Sequence, residues 1–237
     1  MVDLSERFGV SQTTIRADLD ALASQDLLIR THGGAIAHDT PRSDRSDLEL
    51  SFEVRRHIRE AQKARIGAAA AEMIGDGEAI VLDASTTALA MANHIKDYRE
   101  LTVLTNGLLV AQTLIDSPGV SVVMPGGFVR PDSASIVGRE GHDFIQRFNF
   151  QCAFFGAKGL TLSEGLTDVN HAEVAIKKRF LNRAKEVVAL VDGTKWGQVG
   201  FASFASINQV DCVITDGDAP TDMITALRDI NVHVIVT

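Results

Sequence analysis

The chain is poor in cysteine, in aromatic residues and in long apolar runs. Its 237 residues include two cysteines, one tryptophan and one tyrosine. Cys152 and Cys212 stand in separate apolar segments without a C-x-x-C spacing, which favours buried, inert thiols over a metal site. No apolar run approaches the ~20 residues that a membrane-spanning helix needs, and the N-terminus has no charged-then-apolar signal pattern. We therefore expect a cytoplasmic protein that does not bind membranes.

Positive charge is also scarce. The 23 lysines and arginines are outnumbered by 31 acidic residues, and a net charge of -8 argues against indiscriminate binding to nucleic acids. Basic residues are crowded between positions 55 and 65, where acidic residues are mixed with them, and this pattern favours a solvated helix face over a contact with DNA or another domain. These basic residues are Arg55, Arg56, Arg59, Lys63 and Arg65.

Residues 10–34 contain the pattern of a turn, a helix and a hairpin. Ser11 is a suitable N-cap, and Ile15, Leu19 and Leu22 form one apolar stripe at helical spacing. A short helix that ends at Gly9 is expected upstream, and residues 30–34 are expected to turn back as a wing. In a helix-turn-helix the second helix enters the major groove by its N-terminal residues. The candidate DNA contacts are Ser11, Gln12, Thr13, Thr14, Arg16, Arg30 and His32.

The rest of the chain has a different pattern. Residues 38–51 are polar, include a proline and show no apolar period, so they are predicted to be a linker between a domain at 1–37 and a domain at 52–237. Apolar runs that alternate with helical stretches predict a doubly wound α/β domain with a parallel sheet covered on both faces. The runs are 79–83, 101–105, 120–124, 152–156, 187–191, 212–215 and 232–236.

The loops after these runs are where a ligand is expected, because ligands of such sheets bind outside the carboxyl ends of the strands. Asp83 is followed by the hydroxyls of Ser85, Thr86 and Thr87 at a helix start, which is typical of an anion cradle. The alternative is that Ser85 or Thr86 only caps the helix. Three consecutive hydroxyls favour the cradle, because a cap needs only one.

Further polar side chains and glycines follow the other strands. A Gly-Gly pair lets the backbone approach a ligand closely, and an arginine three residues later can bind a carboxylate or a phosphate, although a Pro-Gly-Gly turn is also an ordinary loop. The pattern predicts a pocket for a small, hydroxyl-rich, phosphorylated molecule. Trp196 fits either a sugar-stacking role or the core. The remaining candidates are Asn106, Gly126, Gly127, Arg130, Lys158, Glu173, Asp192 and Lys195.

The run V-S-x-x-T-I-R-x-D-L, followed by L-L-x-R-x-H-G-G, resembles the signature of the DeoR family of bacterial sugar-responsive regulators. The T-N-G, P-G-G-x-x-R, G-L-T-D and D-G-T-K motifs resemble the effector domain of that family. That domain is more distantly similar to the fold of ribose-5-phosphate isomerase and glucosamine-6-phosphate deaminase. The resemblance implies sugar-phosphate binding, with the phosphate at Ser85, Thr86 and Thr87.

The same resemblance implies a transcriptional regulator of carbohydrate-metabolism genes, usually a repressor, that binds operator DNA as a dimer or tetramer and needs no metal, cofactor or catalytic residue. The chain departs from the family at Ala17, where a second arginine and its phosphate contact are absent, and at Asp26, which replaces a glycine. Family members have another helix before the position of Val2. The winged domain is therefore expected to be partial, through either an upstream start or a true loss.

Two other functions stay open at this point. A sugar-phosphate isomerase or deaminase needs a carboxylate base and a cation, and Glu173 with Lys195, or Asp83 with Lys158, has that chemistry. The predicted DNA-binding module argues against an enzyme, which has no use for it. A ligand-binding modulator that has lost DNA binding is the third possibility.

Overall fold

The computed structural model describes residues 2–24, 28–31, 34–37 and 51–237. The chain divides into two units, residues 1–58 and residues 59–237. The predicted linker lies outside the described residues except for Ser51, whose hydroxyl accepts a hydrogen bond from the Val54 amide at 3.4 Å. The predicted domain limits stay predictions, and each unit is described separately below.

The first unit contains the predicted helices and wing strands. The Ser11 hydroxyl accepts a hydrogen bond from the Thr14 amide at 3.1 Å, and Gly9 adopts a left-handed φ of 64°, so both predicted helix boundaries are confirmed. Ile15 and Leu19 of the predicted apolar stripe are buried, whereas Leu22 is 38% exposed. The elements are α1 (Val2–Phe8), α2 (Gln12–Ser24), β1 (Leu28–Thr31), β2 (Gly34–Ala37) and α3 (Phe52–His57).

Each of the seven predicted apolar runs lies on a strand of the main sheet of the second unit. Its strand order is β14-β13-β11-β8-β3-β4-β5, and all neighbouring strands are parallel. The strands of the unit are β3 (Ala79–Leu82), β4 (Leu101–Thr105), β5 (Val120–Val123), β6 (Phe128–Arg130), β7 (Ser135–Val137), β8 (Phe150–Phe155), β9 (Gly159–Thr161), β10 (Gly165–Asp168), β11 (Ala184–Leu190), β12 (Ala202–Ala205), β13 (Cys212–Thr215) and β14 (His233–Val236).

Helices cover both faces of the main sheet, as predicted for a doubly wound domain. Ile80 and Leu82 of β3 pack in a buried cluster with α4, α5 and α6, and Val81 packs in a second cluster with α7, α8 and α9. None of the helices in the described parts of the chain is long and apolar enough to cross a bilayer. The helices are α4 (Glu60–Ala71), α5 (Thr86–Ala92), α6 (Leu108–Leu114), α7 (Glu140–Ile145), α8 (His171–Leu181) and α9 (Thr221–Asp229).

The sheet reverses its direction of growth between β3 and β8. From β3 the chain adds β4 and β5 on one side, and from β8 it adds β11, β13 and β14 on the other. The carboxyl ends of β3 and β8 therefore form the switch point at which doubly wound folds bind ligands. The helices α4 and α5 pack closely on one face of the sheet, since a Cβ on Gly67 of α4 would lie 2.6 Å from the Met91 amide nitrogen of α5.

Two smaller antiparallel sheets were not predicted. The strands β6 and β7 form a hairpin, and β9, β10 and β12 form a three-stranded sheet. Both predicted buried thiols are confirmed: Cys152 and Cys212 are free and buried. Burial raises the pKa of Cys152 to about 12 and that of Cys212 to about 11, with Glu186 adding to both shifts.

Candidate functional site

The start of α2 presents polar side chains on the surface of the first unit. Gln12, Thr13, Thr14 and Arg16 are exposed, while Ile15 is buried beneath them. Because their side chains are not used by the core of the unit, they are available for base edges and phosphates. The structure thus brings the predicted helix contacts together, and their role on DNA stays a prediction.

Arg30 in the wing is already engaged within the first unit. Its Nε donates to Asp20 Oδ1 of α2 at 2.7 Å, and its Nη1 donates to the Gly34 carbonyl at 2.6 Å. Arg30 therefore links the wing hairpin to α2, an arrangement that the sequence pattern did not indicate. His32 lies outside the described residues.

Asp83, directly after β3, is completely buried beside a lysine. Its Oδ2 lies 2.9 Å from Lys177 Nζ and accepts a hydrogen bond from the Gly156 amide, while its Oδ1 accepts from the Ser85 amide, both at 3.0 Å. Lys177 Nζ also donates to Asp168 Oδ2 at 2.6 Å and to the Gly156 carbonyl at 2.8 Å. One buried cation and two carboxylates therefore join the ends of β3, β8 and β10.

This triad of Asp83, Lys177 and Asp168 keeps its lysine charged. Burial alone would lower the pKa of Lys177, but Asp168 and Asp83 outweigh burial and raise the pKa well above its usual range. Nζ also lies 4.8 Å from the ring centroid of Phe204. A buried charge is tolerated when it is paired and hydrogen-bonded, and this ammonium is both.

The hydroxyl-rich turn after Asp83 begins α5. The Ser85 hydroxyl accepts a hydrogen bond from the Ala88 amide at 3.1 Å, so Ser85 is the N-cap of this helix. Thr86 and Thr87 are buried. Gly156 lies directly against Ser85, and a Cβ at position 156 would overlap the serine side chain. The cap is thus observed for Ser85, and phosphate binding by the turn stays a prediction.

Glu173, in the first turn of α8, is the centre of a second buried cluster. Its Oε1 accepts hydrogen bonds from Arg130 Nη1 and Ser133 Oγ, both at 3.0 Å, and from Ser135 Oγ. Its Oε2 accepts from Asn106 Nδ2 at 3.1 Å. The structure therefore brings together three predicted residues from distant loops and adds two serines that the sequence analysis missed.

Asn106 also contacts the hairpin of β6 and β7. Its Nδ2 donates to the Ile136 carbonyl at 3.2 Å, and its own carbonyl accepts from the Ile136 amide at 2.7 Å. The side-chain oxygen Oδ1 is buried and has no hydrogen-bond partner among the described residues. A buried acceptor without a hydrogen bond costs about 1–3 kcal/mol of stability, and a donor on a bound molecule would remove that cost.

A third cluster lies at the ends of β11 and β13. Arg59 Nη2 donates to Asp216 Oδ2 at 3.1 Å and to Asp218 Oδ2, and Arg59 Nε lies 3.7 Å from Asp192 Oδ1. Lys195 Nζ lies 3.7 Å from Asp192 Oδ2. Arg59 is the first residue of the second unit and the N-cap of α4, and its backbone has a left-handed φ of 56°.

These charges balance one another around Asp192. Burial alone would raise the pKa of Asp192, but Lys195, hydrogen bonds from Thr194 and the charge of Lys63 hold it below its usual value. Lys63 is 5% exposed. The predicted solvated face is therefore wrong for Arg59, which pairs with carboxylates far along the chain, and for Lys63, which is buried.

The remaining candidates occupy different positions along the same edge. Lys158 is exposed, and its amide donates to the Thr167 carbonyl at 2.8 Å. Gly126 and Gly127 are exposed, and Gly127 has a φ of 149°. Trp196 is buried, and its Nε1 donates to Thr215 Oγ1 at 3.0 Å, so it fills the core and is not placed to stack on a sugar.

Local sequence signals could have found the missed side chains. Lys177 follows Glu173 by four residues on α8, and this spacing puts both side chains on the same helix face. Ser133 and Ser135 are two residues apart, a spacing that turns side chains in an extended segment to one side. Nothing near Arg59 in the sequence indicates its carboxylate partners.

Known protein families match both parts of the chain. The DeoR-like helix-turn-helix domain matches residues 1–41, and the DeoR C terminal sensor domain matches residues 58–217. The chain belongs to the DeoR family. This DeoR-family chain is 37% identical over 214 residues to the HTH-type transcriptional regulator GolR of Listeria innocua, covering 90% of the chain and 82% of GolR.

Two other relatives also match this DeoR-family protein over most of their length. The putative aga operon transcriptional repressor of Escherichia coli O157:H7 is 30% identical, covering 99% of the chain and 86% of the relative. The glycerol-3-phosphate regulon repressor of Escherichia coli K12 is 31% identical, covering 96% and 88%. The predicted membership in a family of transcriptional regulators is thus confirmed.

Solved structures give more remote likenesses. Ribose 5-phosphate isomerase A of Methanocaldococcus jannaschii has a TM-score of 0.44 and 16% identity, covering 58% of this DeoR-family chain and 54% of the isomerase. The probable sor operon regulator of Shigella flexneri has a TM-score of 0.45 and 10% identity, covering 80% and 88%.

Proposed function

We propose that this DeoR-family protein is a repressor of carbohydrate-metabolism genes whose affinity for operator DNA is controlled by a phosphorylated sugar. The observation that carries the proposal is the presence, on one chain, of an exposed polar helix start at Gln12–Arg16 and of a doubly wound sheet with buried polar clusters at its carboxyl edge. Relatives named as repressors of the aga operon and of a glycerol-3-phosphate regulon support the carbohydrate link. The protein acts in the cytoplasm as a homo-oligomer, a dimer or a tetramer.

In this proposal α2 reads the operator. Gln12, Thr13 and Thr14 contact base edges, and Arg16 contacts a phosphate or a guanine. Ser11 fixes the start of the helix, and Arg30 holds the wing, with His32, beside the groove. Because the overall charge is negative, two or more subunits contribute basic residues to the same operator.

The effector occupies the carboxyl edge of the main sheet. The turn at Ser85–Thr87 receives the phosphate, while Asn106 and the loop at Gly126–Gly127 face the sugar. The cations Arg130, Lys158 and Lys195 complement the negative charge. Asp83, Glu173 and Asp192 hold these groups in position through the buried bonds described above.

We propose binding without turnover. A general base must have a carboxylate oxygen within reach of a substrate proton. The oxygens of Glu173 instead accept hydrogen bonds from four side chains, and Asp83 is bound to Lys177 and two backbone amides. These arrangements favour recognition over proton abstraction.

The test combines DNA binding with turnover. The full chain is titrated onto the duplex upstream of its own gene and onto random duplex, with and without ribose 5-phosphate, glucose 6-phosphate and glycerol 3-phosphate. We expect preferential binding to the upstream duplex, altered by at least one ester, and no isomerisation or ammonia release. Equal binding to both duplexes would contradict the regulator proposal, and turnover that survives repurification and is abolished by Glu173→Gln would favour the enzyme.

A further inference from the structure

The hairpin of β6 and β7 covers the end of β4. The Leu108 amide donates to the Ala134 carbonyl at 2.8 Å, and the Ile136 amide donates to the Asn106 carbonyl at 2.7 Å. Gly107 and Ser135 form an isolated antiparallel bridge. The hairpin therefore lies on the loop after β4, directly over the Asn106 side chain.

Glu173 joins the hairpin to α8. Its carboxylate accepts hydrogen bonds from Arg130 of β6, from Ser135 of β7 and from Ser133 in the turn between them. One side chain thus contacts all three parts of the hairpin. A carboxylate that accepts this many hydrogen bonds has little capacity left for a ligand, so its role is to hold the hairpin in place.

The same carboxylate determines which way the Asn106 amide points. Nδ2 donates both to Glu173 Oε2 and to the Ile136 carbonyl, two groups that can only accept. The other end of the amide must therefore be Oδ1, which is buried without a hydrogen-bond partner among the described residues. An acceptor in this position is satisfied by a hydroxyl or an ammonium group and not by an ionised phosphate, which has no donor.

We infer that Asn106 Oδ1 accepts a hydrogen bond from a sugar hydroxyl of the effector, beneath a hairpin that opens to admit it. Glu173 is a positioning residue that orients the Asn106 amide and holds this hairpin in place. Its hydrogen bonds from Arg130, Ser133 and Ser135 are called the latch below. The ligand part of the inference rests on the proposed function, whereas the latch does not. The recognised chemistry is a hydroxyl donor attached to a phosphate ester.

The latch is tested without any ligand, by hydrogen exchange of the full chain. In Glu173→Ala, amides of the hairpin at 128–137 should exchange about ten- to a hundredfold faster, as expected for lost hydrogen bonds to a charged group, while β8 and β11 keep their protection. Glu164→Gln, on an exposed turn, is the control and should match the wild type. If Glu173→Ala is poorly folded, Ser133→Ala combined with Ser135→Ala weakens the same latch. Unchanged exchange in the hairpin would overturn the latch.

The hydroxyl acceptor is tested with ribose 5-phosphate, glucose 6-phosphate and glycerol 3-phosphate, each compared with methyl phosphate, which has no hydroxyl donor above about pH 7. At least one of the three esters should slow hairpin exchange in the wild type more than methyl phosphate does. Asn106→Ala, or Asn106→Ser if the first variant does not fold, should lose this difference, weakening the ester about tenfold and leaving methyl phosphate unchanged.

The outcomes separate the two proposals. If an ester stabilises the protein but Asn106→Ala binds it as well as the wild type does, the hydroxyl subsite is wrong and the sugar-phosphate proposal survives. If none of the three esters binds the wild type, the effector class fails and the hydroxyl subsite fails with it. In that case the exchange of Glu173→Ala still decides the latch.

Discussion

Replacing Lys177 by methionine should strongly destabilise the second unit. Methionine keeps most of the side-chain volume but leaves Asp83 and Asp168 facing each other without their cation, and it leaves the Gly156 carbonyl without the Nζ donor. Removing one partner from a buried ion pair costs about 3–5 kcal/mol, because the remaining charge stays buried without compensation. We expect a loss of that size in the free energy of unfolding.

Tryptophan fluorescence measures this loss in the relevant unit. Trp196 is the one tryptophan of the chain and is buried in the second unit, so its emission during urea denaturation reports that unit alone. Lys178→Met is the matched control, because this neighbouring lysine on α8 is exposed, and it should cost no more than about 0.5 kcal/mol. Combining Lys177→Met with Asp83→Asn should cost less than the sum of the two single changes.

The pH dependence gives a further check. The pKa of Lys177 is raised by Asp168 and Asp83, so its stabilising contribution is fully present below the unfolded pKa of about 10.5 and is lost as pH rises through the folded pKa. The difference between wild type and Lys177→Met should therefore stay constant from neutral to weakly basic pH. A difference below about 1 kcal/mol near neutral pH would refute the reasoning, since surface pairs have that magnitude.

Three further predictions concern the two candidate sites. Arg16→Ala should weaken operator binding and reduce the slope of log affinity against log salt concentration by about 1. Arg147→Ala, an exposed change in the second unit, should leave the affinity and the slope unchanged, and an unaltered slope in Arg16→Ala would remove Arg16 from the DNA contacts. Thr87→Asp should abolish the thermal stabilisation by sugar phosphates, which is about 2.7 kcal/mol at 100 times the dissociation constant, and Thr87→Val should keep more of it; equal responses would argue against an anion at this turn. The lowered pKa of Asp192 stabilises the protein above the unfolded value of 3.8, and this contribution is lost as pH falls through the folded pKa, so Asp192→Asn should flatten the acid limb of the urea midpoint against pH; an identical limb would contradict the assignment.

The main sheet was predictable because its strands are buried on both faces. Such strands appear as continuous apolar runs, and each of the seven runs lies on a strand of the sheet. The start of β11 was missed because Lys185 and Glu186 are exposed, so the apolar run begins only at Val187. The hairpin of β6 and β7 was missed because strands of three residues are too short for an alternating pattern.

The candidate site was predictable in its location and not in its bonding. The rule that ligands bind at the carboxyl ends of parallel strands selected Asp83 and Asn106 from the sequence, and the helix start after the G-L-T-D motif selected Glu173. Spacing alone places Lys177 on the face of Glu173 and turns Ser133 and Ser135 to one side, but it does not identify Asp83 or Glu173 as their partners. Charged residues on a helix usually face solvent, and their burial depends on partners that only the folded chain brings near.

The triad of Asp83, Lys177 and Asp168 limits how the regulators of such a lineage can diverge. Residues 126–129 and Lys158 are exposed and lie outside the main sheet, so inherited changes there do not require the sheet to be rebuilt. A change at Lys177 is different, because two aspartates in separate loops depend on the same ammonium. Descendants that lose this lysine must replace Asp83 and Asp168 as well, so these three positions should be inherited together while the surrounding loops vary.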